Sequence, residues 1–293
     1  MQEIKQIVAA TDLSAPARHA VERAALVAGD CRAQLAVAHV TNLAPLAQIY
    51  RLLASDDQFE VPLTAQAEAS MQQLAAALSQ RFAIQPAISV MQGELLPSLL
   101  GYCATLPAEL LVLGARGSSF MRHILLGTTA ERLLRMAKCP LLVVKQPPHE
   151  SYRRLLVAVD FSPAALPALH RAQAIAPQAD LVLLHVYDVP FAGQLRYAGV
   201  DEVRIEHYRA LARHAAEQKM DALLRSAGLD PTRTRVLILP GDASQRILEQ
   251  EQEFDCDLLV VGKQGEGAFE ALLLGSVTKH VLAESQGDVL VSV

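Results

Sequence analysis

Tryptophan is absent from this 293-residue chain, aromatic residues make up 4% of it, and there are four cysteines. Those cysteines, Cys31, Cys103, Cys139 and Cys256, are scattered, with no C-x-x-C pair and no histidine at metal-ligand spacing. The pattern argues against a disulfide framework or a zinc module and predicts four buried thiols in a reducing cytoplasm. No apolar run approaches the roughly 18 residues that a membrane-spanning helix needs. The opening Met1 to Ala10 also lacks the basic-then-apolar layout of a secretory leader. Positive charge is not in excess. The 26 Lys+Arg face 31 Asp+Glu for a net -5, which argues against nucleic acid or an anionic membrane as a general partner. Also missing are G-x-x-x-x-G-K-[ST], a G-x-G-x-x-G behind the first strand, H-x-G-H and S-G-G-x-D-S. With them go P-loop NTPases, dinucleotide oxidoreductases and adenylyl-transferring enzymes.

What the chain does have is apolar bulk and a repeat. Hydrophobic residues are 52% and charged residues 19%, enough for well-buried cores, and the length suits two domains. Val8-Ala-Ala-Thr-Asp12-Leu-Ser14 returns as Val157-Ala-Val-Asp160-Phe-Ser162, and Leu110-Leu-Val-Leu-Gly114 as Leu258-Leu-Val-Val-Gly262, both after 148 residues. Ala36-Val-Ala-His39-Val40 returns as Val182-Leu-Leu-His185-Val186 after 146, so a small length difference falls near the second strand. A period of about half the chain predicts duplicated domains, 1–147 and 148–293, with the seam at the Pro147-Pro148 pair.

Short unalternated apolar runs mark strands covered on both faces: 4–10, 34–40, 86–91, 109–113 and 141–145, then 154–159, 180–186, 234–239, 257–261 and 288–293. Stretches rich in Ala, Leu, Gln and Glu lie between them. Strand-helix alternation predicts an α/β fold with a parallel sheet in each half. In such a sheet ligands bind beyond the carboxyl ends of the strands, where the strand order reverses.

Behind the fourth strand of each half stands the pattern G-x2-G-x9-G-[ST], at Gly114, Gly117, Gly127 and Thr128 and again at Gly262, Gly265, Gly275 and Ser276. Glycines permit positive φ and close backbone approach to a polyphosphate, and a helix opening after the last glycine attracts anions. Thr128 and Ser276 read alternatively as N-caps, and Thr128-x-x-Glu131 spells a capping box. Asp12 and Asp160 read as turn residues or as ligand contacts. The second is favoured because Ser14 and Ser162 are better placed to cap the next helix, with Pro163 at its first position. His39 and His185 end apolar strands and read as satisfied structural histidines. His123 reads as a solvated loop residue, and Glu266 and Glu270 as surface charges before Mg²⁺ ligands.

With these motifs in view the chain resembles the universal stress proteins in their tandem, two-domain form. The resemblance rests on the Asp12 and Asp160 strands, His39-Val40 and His185-Val186, both glycine motifs, and Cys139-Pro-Leu-Leu-Val-Val144. It implies two Rossmann-like domains, each a five-stranded parallel sheet with helices on both faces, joined as an internal pseudo-dimer; a homodimer of tandem chains is left open. In that family the glycine motif marks members that bind ATP. By position, Thr11, Asp12 and the Val40 backbone would hold adenine and ribose in the first half, with Gly114, Arg116, Gly117, Gly127, Thr128 and Thr129 on the phosphates. In the second half the counterparts would be Asp160, Val186, Gly262, Gly265, Gly275, Ser276 and Val277. The implied cofactor is ATP, with or without Mg²⁺, and the implied role is nucleotide-dependent signalling or binding under stress with weak hydrolysis at most. The alternatives are an ATPase or phosphotransferase and a ligand-free scaffold. Arg116, Arg122 and His123 against Lys263, Glu266 and Glu270 also predict that the first half holds triphosphate more tightly.

Overall fold

The computed structural model describes residues 3–42, 60–115, 127–188, 201–265 and 274–293. The chain divides into two compact units, one running to Ser151 and including Ala174–Pro177, the other made of Tyr152–Gln173 and Gln178–Val293.

The first unit contains β1 (Gln6–Thr11), α1 (Ala15–Cys31), β2 (Gln34–Thr41), α2 (Glu60–Phe82), β3 (Ala87–Gln92), α3 (Leu95–Thr105), β4 (Leu110–Gly114), α4 (Thr128–Met136) and β5 (Leu141–Val144). The second contains β6 (Arg154–Ala158), α5 (Ala165–Ile175), β7 (Asp180–Tyr187), α6 (Glu202–Ala227), β8 (Thr234–Pro240), α7 (Ala243–Glu253), β9 (Leu258–Gly262), α8 (Ser276–Glu284) and β10 (Asp288–Ser292). Strands run in the order β3-β2-β1-β4-β5 in the first unit and β8-β7-β6-β9-β10 in the second. All the pairings within them are parallel. These are two Rossmann-like sheets of five strands with helices on both faces, as the resemblance implied, and parallel as the strand-helix alternation predicted. The register repeats too: Ile7 faces Leu110 in one unit and Leu155 faces Leu258 in the other.

Burial explains the apolar runs. Leu110, Leu111 and Val112 in β4 and Leu258, Leu259 and Val260 in β9 are 0% exposed, as expected of central strands sandwiched by helices. The edge strands differ, with Ile88 in β3 and Val236 in β8 each 37% exposed. Ala20, Val21, Ala24 and Ala25 of α1 are fully buried, because small side chains let the helix lie close to the sheet. Ser14 caps α1, its hydroxyl accepting from the Ala17 N–H at 3.4 Å. The matching helix α5 begins only at Ala165, whose N–H reaches the Ser162 carbonyl at 3.0 Å. Pro163 therefore lies in the preceding turn and not at the first helical position.

No disulfide joins the cysteines. Cys103 and Cys256 are buried, and burial pushes each thiol up to about 12. Cys31 and Cys139 are only half-buried, so the expectation of four buried thiols holds for two. Among the described residues no helix is long and apolar enough to cross a membrane.

Candidate functional site

In each unit the strand order reverses beside the first strand, since β1 lies between β2 and β4, and β6 between β7 and β9. The chain leaves both strands through the same tight turn. The Asp12 Oδ1 accepts from the Ser14 N–H at 3.0 Å, and the Asp160 Oδ1 from the Ser162 N–H at 3.0 Å. The residue between takes the left-handed conformation, Leu13 at φ 65° and Phe161 at φ 61°. That conformation costs a side-chain-bearing residue about 1 kcal/mol, which the aspartate's local hydrogen bond offsets. The aspartates are therefore turn residues after all. Turn and ligand roles, alternatives by sequence, are not exclusive here, because the turn is what fixes the carboxylate at the strand's carboxyl end. In the first unit Thr11, 7% exposed, adds a second tie, its Oγ1 accepting from the Leu13 N–H at 3.0 Å.

His39 and His185 fasten the second strand to this turn. Their Nδ1–H groups donate to the carbonyls of Thr11 (2.9 Å) and Val159 (2.8 Å). Both are structural histidines, and they bring the half-buried Val40 and Val186 beside the strand ends. The Phe161 and His185 rings stand 4.2 Å apart, with the Lys219 ammonium 5.7 Å from the Phe161 centroid. The first unit has Leu13 in place of Phe161, and no periodicity marked that difference.

The glycine motif closes onto the same place. Gly114 and Gly262 end β4 and β9, and the next residue in each unit carries both ends of the loop. The Ala115 N–H donates to the Val144 carbonyl (2.8 Å) while the Ala115 carbonyl accepts from the Gly127 N–H (2.8 Å). Lys263 repeats this with the Ser292 carbonyl (2.7 Å) and the Gly275 N–H (3.0 Å). In the second unit the loop meets the turn: a Cβ on Gly265 would lie 3.4 Å from the Asp160 Oδ2. Burial of Lys263 lowers its ammonium below the usual lysine range.

Two expectations about this motif are corrected. Positive φ is not why its described glycines are needed: Gly127 and Gly275 sit at φ -68° and -58°. Their Cβ positions lie 3.4 Å from the Ala115 carbonyl and 3.6 Å from the Lys263 carbonyl, ordinary contact distances, whereas a Cβ on Gly262 would crowd the Gln264 carbonyl at 3.1 Å. Nor do Thr128 and Ser276 cap their helices. Gly127 and Gly275 hold the cap positions, so no cap side chain occupies the N–H groups that open α4 and α8. The capping box is absent too, because Glu131 pairs with Arg135 at 2.7 Å. Thr128, Thr129 and Ser276 are exposed and Val277 is half-buried at these helix starts. Arg116, Gly117, Arg122, His123, Glu266 and Glu270 lie outside the described residues, and with them the charge contrast between the two loops. Among the described residues no group of three His, Cys, Asp or Glu is placed to hold a metal ion.

Sequence reasoning missed Thr278, 4% exposed, whose hydroxyl donates to the Gly262 carbonyl at 2.7 Å. Ala130 stands at that place in the first unit. Replacing Thr278 with valine keeps the shape but removes this hydrogen bond from a half-buried carbonyl. The expected loss is about 1 to 2 kcal/mol of unfolding free energy, read by urea titration, with Ala130→Gly as the scale for a change lacking that bond.

Comparison with known proteins follows the same division. The model of the universal stress protein family matches residues 3–145 and again 151–292. A universal stress protein of Mycolicibacterium smegmatis is 32% identical over 197 residues, 64% of this chain and 63% of that protein. One from Mycobacterium tuberculosis is 30% identical over 211 residues, 69% of this chain and 64% of that protein. The chain thus spans just under two thirds of these curated relatives. The crystal structure of a universal stress protein from Archaeoglobus fulgidus matches with a TM-score of 0.70 at 21% identity, covering 100% of this chain and 99% of that one. That likeness bears on the fold alone.

Proposed function

Because the chain belongs to the universal stress protein family, we propose that it binds adenine nucleotides at the carboxyl ends of β1 and β4 and of β6 and β9, and acts as a nucleotide-dependent signalling or binding protein in the stress response. Domain limits of 1–147 and 148–293 go with this reading, as does a cytoplasmic location. The observation that carries it is the approach of Gly265 to Asp160. A Cβ built on Gly265 would stand 3.4 Å from a carboxylate fixed at the strand end, so the loop returns to the crevice where open α/β sheets take ligands.

In this reading Asp12 and Asp160 accept from ribose hydroxyls, and the Val40 and Val186 backbones face the base. The residues following Gly127 and Gly275 present the first N–H groups of α4 and α8 to the phosphates, where the helix dipole favours negative charge. Residues Gly114, Gly262 and Gly265 leave room for the polyphosphate, and Arg116, Gly117, Thr128, Thr129, Ser276 and Val277 complete the two sets. Bound ATP, with or without Mg²⁺, supplies an occupancy signal. His39 and His185 use Nδ1 to hold strand carbonyls, which leaves fast hydrolysis without an evident positioned base among the described residues.

Calorimetry with ATP, ADP, NAD and FMN on ligand-stripped protein tests the reading. ATP or ADP is expected to bind with micromolar to millimolar affinity and the flavin much more weakly. No heat with ATP at about millimolar concentration contradicts it and leaves the scaffold alternative. Sustained Mg-ATP turnover above about 1 per second points to the enzyme alternative.

A further inference from the structure

The two repeats differ in length between their first two strands. Asp12 and Asp160 are 148 residues apart, whereas His39 and His185 are 146 apart, so the first unit carries two extra residues between its first and second strands. Helix α1 has 17 residues where α5 has 11. It ends at Arg32, which takes the left-handed conformation at φ 57° and whose N–H turns back to the carbonyls of the last turn.

Against this helix end lies a cleft of about 500 Å³, reached at the amino ends of β1, β2 and β3, where Gln6, Gln34 and Ala87 begin their strands. That is the opposite end of the sheet from the glycine motif. Ile84, Tyr102 and Leu106 provide apolar surface, Gln34 and Gln85 provide amides, and Arg32 provides a charge. Among the described residues no acidic side chain lines it. The Arg32 guanidinium and the Tyr102 hydroxyl have no ion-pair or hydrogen-bond partner among the described residues. Glu109, at the same end of the sheet, is engaged elsewhere: its Oε2 accepts from the N–H groups of Lys5 and Gln6.

The second unit holds a different set of side chains at the corresponding place. The strand registers put Asp180 at the position of Gln34 and Arg233 at that of Gln85. There the two side chains pair with each other, Arg233 Nε to Asp180 Oδ1 at 3.3 Å. One repeat spends the position on an ion pair. The other has two neutral amides and a cation without a counter-charge beside an apolar wall.

We propose that this cleft of the first unit binds a small organic carboxylate with a flat apolar body, the carboxylate on Arg32 and the body against Tyr102 and Leu106. A guanidinium fork matches a carboxylate bidentately, the amides suit its remaining lone pairs, and the volume lies within the range of small-molecule sites. The site stands apart from the nucleotide crevice and does not depend on it.

The test uses the full chain and benzoate as probe, followed by ligand-observed saturation-transfer NMR, with benzamide as the uncharged counterpart. Benzoate is expected to saturate with a dissociation constant of about a few millimolar or tighter. Benzamide and the Arg32→Gln variant should each weaken binding by about fivefold or more. The double variant Gln34→Asp, Gln85→Arg rebuilds the second unit's ion pair and should abolish binding while leaving the circular dichroism spectrum unchanged. Excess ATP should leave benzoate in place. The proposal is overturned by no saturable benzoate signal up to about 20 mM, by equal affinity in Arg32→Gln, by binding that survives the double variant, or by displacement with ATP.

Discussion

In a chain whose first site is disabled by Asp12→Ala, replacing Gly265 with valine is expected to weaken ATP binding by about thirty- to a hundredfold. A Cβ at Gly265 already sits 3.4 Å from the Asp160 Oδ2, and valine adds two methyl groups at that approach. The carboxylate cannot easily withdraw. Its Oδ1 holds the Ser162 N–H at 3.0 Å, and Phe161 is locked in the left-handed conformation beside it. Losing charge-assisted hydrogen bonds to one carboxylate corresponds to about 2 to 3 kcal/mol. Asp160→Ala in the same background should produce a loss of similar size, because both changes remove one contact from different sides. The check is calorimetric titration of the two double variants with ATP, alongside thermal melts. Wild-type affinity in Gly265→Val would mean that the loop does not cradle the ligand, and the proposal for the second unit would fail.

The largest stability effect is expected in an inner strand of the second unit, β9. Leu259 is 0% exposed and sits in β9 between Leu156 of β6 and Val289 of β10. Truncation to alanine removes buried methyl groups and leaves a cavity that strands on both sides prevent from closing. The expected cost is about 2 to 5 kcal/mol. Urea unfolding monitored by circular dichroism measures it, with Val203→Ala as control. Val203 is 72% exposed, and its truncation should cost no more than about 0.5 kcal/mol. A loss at Leu259 below about 1 kcal/mol would show that the strand is not held as tightly as its burial implies.

The histidines illustrate how the site was read from the sequence and where that reading stopped. Each directly follows a run of apolar residues that its strand buries, two positions before the strand ends, so a structural role was legible. The carbonyl that each one holds was not, because Thr11 and Val159 become neighbours only when β1 pairs with β2 and β6 with β7. Thr278 gave no signal at all: at the same place the first unit has alanine, and the hydroxyl matters only because Gly262 ends β9 directly beneath it. For Asp12 and Asp160 the sequence favoured carboxylates free of the turn, and the turn geometry went against that. Leucine and phenylalanine disfavour positive φ, so nothing in Leu13 or Phe161 announces the left-handed turn.

By itself the sequence determined the duplication, the parallel α/β sheets and the placement of both glycine motifs behind the fourth strand of each unit. These are properties of local order. Unalternated apolar runs dictate strands buried on both faces, the helical stretches between them force parallel crossovers, and a fixed spacing of glycines survives in the linear text. Only the tertiary structure decided which distant side chains meet. Asp160 is brought to Gly265, and Asp180 to Arg233, while their counterparts Gln34 and Gln85 line an open cleft. Such encounters depend on strand order and on register, which place residues far apart in the chain within a few ångströms, and a contact of that kind leaves no periodic trace in either partner's own segment.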